Sequence, residues 1–96
     1  MKTLLVATMM TAGLAFGGAA HAQDAAKLAD SAGCMKCHDV SKKKMGASFK
    51  SVAAKYKGKA DAETTIVAKL KSGEGHPKTE ASDADLAAIT KWVLAM

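Results

Sequence analysis

The chain is 96 residues long with a formal net charge of +5, and every one of its 14 cations is a lysine. With no arginine fork to read phosphates and base edges, the composition argues against nucleic acid as a partner. A chain this short makes one domain, near the size at which an apolar core alone yields little net stability.

Lys2 gives a short positive start, Leu4 to Phe16 is almost wholly apolar, Gly17-Gly18 break the run, and Ala20-His21-Ala22 is a small-x-small cleavage site. Residues 1–22 therefore read as a cleaved secretory signal peptide, too short to remain as a membrane span. His21 leaves with it. The mature chain is residues 23–96, exported to the periplasm, with no stable membrane insertion of its own. It keeps a net charge of +4 once Lys2 is lost.

Asp24 to about Ala32 predicts a first helix with Ala26, Leu28 and Ala29 as apolar contacts, ended by Gly33. Cys34-Met35-Lys36-Cys37-His38 follows. Two cysteines three apart with a histidine directly after them are the pattern of c-type haem attachment. Each thiol adds to one haem vinyl group, a single turn of backbone reaches both, and the next imidazole lies under the ring as proximal iron ligand. The competing readings are weaker. A thioredoxin-like pair needs a βαβ scaffold, zinc needs a second ligand pair where no other cysteine exists, and a disulfide closing so short a loop stabilises little. The cofactor expected is one covalent haem c on Cys34 and Cys37, with His38 on the iron.

Ser41 to Gly46 is a lysine-rich loop. Ser48 to about Tyr56 predicts a helix presenting Phe49, Val52 and Ala53, stopped by Gly58. Asp61 is placed to cap a helix to about Ser72, with Ile66, Val67 and Leu70 on one face and Gly73 just past its end. Residues 73–81 form a loop with the chain's one proline, Pro77. Ser82, three before Asp85, resembles a capping box and opens a last helix with Leu86, Ile89, Trp92 and Val93 as its buried stripe. Nothing reads as strand. The fold expected is all-α, four to five short helices around one haem.

An amino-terminal helix leading into the attachment motif, the Gly46 to Ala53 stretch and a final helix bearing Lys91-Trp92-Val93-Leu94 resemble the small bacterial monohaem type of class I cytochrome c. The resemblance spans the mature chain. It implies crossed first and last helices, a haem crevice with one exposed edge, and single-electron transfer between larger redox proteins. It implies thioether roles for Cys34 and Cys37 and the proximal role for His38. The family's Gly-Pro pair, whose carbonyl orients the proximal imidazole, is here Gly46-Ala47; that leaves Ala47 to offer its carbonyl without the proline.

The family's distal ligand is a methionine in a proline-rich loop before the last helix. Counting back from Ser82, His76 stands where that methionine would, with Pro77 after it. Met35 lies inside the motif, Met45 is on the proximal side of the haem, and Met96 ends the chain. His76 is therefore the expected distal ligand, giving bis-histidine coordination, which holds the potential below that of methionine-ligated relatives.

Lys42, Lys43 and Lys44, with Lys55, Lys57 and Lys59, are expected to steer a monomeric shuttle toward redox proteins with acidic docking surfaces. The chain is not expected to be an enzyme. The alternative is a gas or redox sensor, or a small haem enzyme, with a displaceable His76. Against catalysis, no second distal histidine or arginine is available to activate peroxide.

Overall fold

A computed structural model describes residues 17–96, with side chains from Asp24 onward. It contains four helices, α1 (Gly17–Ser31), α2 (Phe49–Tyr56), α3 (Ala62–Ser72) and α4 (Asp83–Leu94), and a single 3₁₀ turn at Cys34–Lys36. There is no strand among the described residues. The apolar stretch Leu4 to Phe16 lies outside them.

α4 is the hub, packing against α1, α2 and α3 in turn. Its first turn follows from Ser82, whose extended backbone lets Oγ accept the Asp85 amide at 3.2 Å. Ser48 caps α2 in the same way, accepting from the Ser51 amide at 3.2 Å. Each such cap contributes about 1 kcal/mol. Asp61 occupies the corresponding position before α3 but makes no side-chain cap. Its backbone is not extended (φ −96°, ψ 8°), so the carboxylate is not presented to the first-turn amides.

Two expectations shift by a residue or more. α1 begins at Gly17 rather than near Asp24; three of the five residues from Ala19 to Gln23 are alanine, the best helix former. Its buried contacts are Ala25 and Ala29, with Ala26 and Leu28 half-buried. Residues four apart share a helix face, which makes Ala25 and Ala29 the natural pair against α4.

Ala29, Phe49, Ile89 and Val93 form the buried cluster, flanked by Leu28, Cys34, Met35, Val40, Val52 and Trp92. The α4 stripe is Leu86, Ile89, Thr90 and Val93, while Trp92 is half-buried. Thr90 escaped the sequence reading because its side chain is polar. It lies one turn after Leu86, and its hydroxyl is buried with no partner among the described residues.

α3 and α4 are joined by a short loop that is tied at both ends. The Gly73 amide donates to Lys69 O at 3.0 Å, and the Thr79 amide reaches back to Leu70 O at 2.9 Å. Lys71 Nζ meets Asp83 Oδ2 at 2.9 Å across the gap. That pair is exposed, so it adds under about 1 kcal/mol. Residues 74–78 thus span between fixed points, and His76 is the middle one.

Candidate functional site

The site begins where α1 ends. Gly33 takes φ +84°, a left-handed conformation that any other residue would adopt only with strain, and the chain turns directly into the 3₁₀ turn. With three residues per turn, positions i and i+3 eclipse, so Cys34 and Cys37 come to the same side of the backbone. The amides of Cys37 and His38 both donate to Cys34 O, at 3.2 and 3.0 Å. Both cysteines are free and half-buried. Burial pushes the Cys34 thiol up, partly offset by a backbone hydrogen bond.

The segment after the motif folds back on it. The Gly46 amide donates to Cys37 O at 2.7 Å, and Lys44 Nζ to Met35 O at 3.0 Å. Asp39 accepts the Ser41 and Lys42 amides, both at 2.9 Å. Those two amides, with smaller help from the Lys42 and Lys44 charges, hold its carboxyl below the usual range. The result is a closed loop that delivers Gly46 and Ala47 to the edge of the His38 ring.

His38 is gripped on several sides. Its Nδ1 donates to the Ala47 carbonyl at 2.6 Å; a carbonyl only accepts, so Nδ1 carries the proton and the Nε2 lone pair is free. The carbonyl expected to orient this ring therefore does so without the proline. Phe49 lies beside the ring at 5.1 Å between centroids and 23° between planes, and Trp92 meets Phe49 edge-on at 5.6 Å and 73°. This ladder anchors the imidazole to α2 and α4. Gly46 fits against the ring with no room for a side chain: a Cβ there would sit 2.6 Å from His38 Cε1.

His76 comes to the same place from the α3–α4 loop. Its ring centroid is 6.0 Å from that of His38, with the planes 5° apart. Its Nδ1 donates to the Pro77 carbonyl at 2.7 Å, again leaving Nε2 free. Two imidazoles bound through Nε2 to one metal stand about 6 Å apart, from two bonds of about 2 Å and roughly 1 Å from each nitrogen to its ring centre. An offset aromatic pair spans a similar range. What favours ligation is the matched tautomer: each ring spends its proton on a backbone carbonyl and keeps its lone pair.

The other candidates fall away on position. Met45 is 86% exposed and Met96 is 39% exposed at the chain end, while Met35 packs into the core cluster. No group of three or more histidine, cysteine or acidic side chains is arranged for a bare metal ion among the described residues. Two thiols on one side of a turn, with two imidazoles 38 positions apart in sequence, fit a tethered haem better. Lys42, Lys43 and Lys44 are exposed beside the motif. Lys55 and Lys59 gather over Tyr56, at 5.6 and 5.4 Å from the ring, on the far end of α2.

The sequence model of the cytochrome c family matches residues 22–96. Cytochrome c-552 of Nitrosomonas europaea is 36% identical, the alignment covering all of this chain and 99% of that protein. Cytochrome c-552 of Hydrogenobacter thermophilus is 33% identical over 99% of this chain and 97% of its own. In three dimensions the chain is similar to the crystal structure of the class 1 cytochrome MtoD of Sideroxydans lithotrophicus, with a TM-score of 0.66 and 36% identity, covering 76% of this chain and 92% of that one.

Proposed function

Since the chain belongs to the cytochrome c family, we propose that it is a diffusible periplasmic electron shuttle whose haem iron is held between His38 and His76. Haem c is attached covalently, Cys34 and Cys37 fit the attachment motif, and the activity is electron transfer rather than catalysis. When bound, the haem supplies a one-electron iron couple, and the protein tunes it through axial ligands, hydrogen bonding and burial.

The observation that carries the distal assignment is the His38–His76 pair: 6.0 Å between centroids, 5° between planes, both Nδ1 atoms on carbonyls. With haem bound, His38 would hold the iron from one side, braced by Phe49, and His76 from the other, on a loop fixed at Gly73 and Thr79. Two such ligands would leave no open position and would change little on gain or loss of an electron. The sensor or enzyme reading finds no support among the relatives.

Its partners are redox proteins. We assign them acidic docking faces, met by Lys42, Lys43 and Lys44 beside the attachment turn, with the protein acting as a monomer. Residues 1–22 direct export, and no helix among the described residues is long and apolar enough to cross a membrane.

Docking of this kind is steered by unscreened charge. The second-order rate of electron exchange with an acidic redox protein is expected to fall about tenfold or more between low and physiological ionic strength. Lys42→Glu/Lys43→Glu should slow the low-salt rate by a similar factor and flatten the salt dependence. Stopped-flow kinetics at varied salt measures both. A wild-type rate indifferent to salt would remove the steering role.

A further inference from the structure

The two imidazoles are not merely opposed. Their planes lie 5° apart, and each is held at that angle by a backbone carbonyl, Ala47 for His38 and Pro77 for His76. An imidazole free to turn about a metal–nitrogen bond has no fixed plane. A hydrogen bond from Nδ1 to a carbonyl in its own loop removes that freedom. Ala47 is positioned by the folded-back loop whose Gly46 amide bonds Cys37 O, and Pro77 directly follows His76, so that the hydrogen bond closes across one residue whose φ its own ring fixes.

We propose that the Ala47 and Pro77 carbonyls are a matched pair of positioning groups that would hold both iron-binding imidazoles parallel to each other, and that Pro77 is the positioning residue of the distal side. This rests on ligation by His38 and His76. Its consequence is electronic. An imidazole mixes its π electrons with the iron d orbital that lies perpendicular to its ring. Parallel rings both act on the same one of two otherwise similar orbitals and split the pair widely. Crossed rings act on one each and leave the pair nearly equal. A wide splitting gives a rhombic low-spin ferric spectrum with three resolved g values. A narrow one gives a strongly axial spectrum dominated by a single large-g feature.

The sequence around Pro77 explains why the distal ring needs this device. Gly73 and Gly75 both have positive φ, so the loop carries two residues with unusual backbone freedom, and among the described residues only the His38 ring is paired with His76, with no counterpart of Phe49. Pro77 restores locally the stiffness that the glycines remove.

The test is electron paramagnetic resonance on the full ferric holoprotein, with the far-red absorption recorded on the same sample. The expected result is one rhombic low-spin species with no sulfur-to-iron charge-transfer band. In Pro77→Gly the ring is released: the g features should broaden and shift toward the axial pattern while the iron stays low-spin. A strongly axial low-spin wild-type spectrum without the sulfur band would overturn the parallel arrangement while leaving the two-imidazole ligation standing. A sulfur band or a high-spin signal in the wild type would overturn both. A rhombic wild type with an unchanged Pro77→Gly spectrum would remove Pro77 from the positioning role.

Discussion

Replacing His76 with alanine is expected to open the sixth coordination position and turn a six-coordinate low-spin protein into one that binds carbon monoxide when reduced and cyanide when oxidised. The wild type should bind neither readily, because an external ligand must first displace an imidazole held on a loop tied at Gly73 and Thr79. The apparent affinity of an external ligand is reduced by the fraction of molecules in which the position is free. An internal ligand worth roughly 4 kcal/mol suppresses it about a thousandfold, and His76→Ala should recover most of that factor. The alternative donors are poorly placed, with Met45 86% exposed and Met96 at the chain end. Titration with carbon monoxide, followed in the Soret region, reads the change. A variant with the wild-type spectrum and no gas binding would mean that another side chain holds the iron.

The second large effect is expected at Gly46→Ala. The added Cβ would lie 2.6 Å from Cε1, 2.9 Å from Nδ1 and 3.0 Å from Nε2 of His38. All three are atoms of one rigid ring, so no soft chain end can yield. The ring cannot swing aside either, since Nδ1 is bonded to Ala47 and Phe49 lies at 5.1 Å. Relief must come from moving the 46–47 backbone or the imidazole. Overpacking of this kind costs about 1–3 kcal/mol, which for a domain of this length lowers Tm by about 5–20 °C. The variant should also lose the low-spin proximal geometry in part, as disturbance of a ligand's orienting hydrogen bond does elsewhere. Thermal melts followed at the Soret band give the first quantity. A Tm within a degree or two of wild type would show that Gly46 does not press on this ring.

Much of this arrangement is legible in the sequence, because it is local. Cys34 to His38 is a contiguous pattern. Ser48, Ser82, Gly33 and Gly73 mark helix ends by backbone rules that act within a few residues, and each stands where a helix begins or stops. His76 was reachable through its distance from Ser82. What could not be read is what depends on three-dimensional approach. The 5° angle between the imidazoles comes from two loops meeting, and no spacing encodes it; the Ala47 carbonyl behind His38 is legible, whereas the Pro77 carbonyl behind His76 is not. Gly46 shows the same thing: in sequence it is a turn glycine, and only in the fold does its missing side chain leave room for His38. Asp61 was the converse case, a cap-forming residue type whose backbone angles leave its carboxylate unused. Thr90 is buried by its place on α4 rather than by its polarity, and the reading by residue type passed it over.

The lysines divide along similar lines. Their number follows from composition, but the structure separates Lys42 to Lys44, beside the attachment turn, from Lys55 and Lys59, which collect on Tyr56. Only the first group reaches the attachment turn, through Lys44 Nζ on Met35 O, so only it is assigned to docking.

The most direct measurement is the visible spectrum of the protein purified, in both oxidation states, from a host competent for cytochrome maturation. Haem tethered by Cys34 and Cys37 and bound by His38 and His76 predicts a covalently retained Soret band, sharp low-spin bands on reduction, and no far-red sulfur-to-iron absorption when oxidised. A colourless product, or that far-red band in the ferric protein, would contradict it.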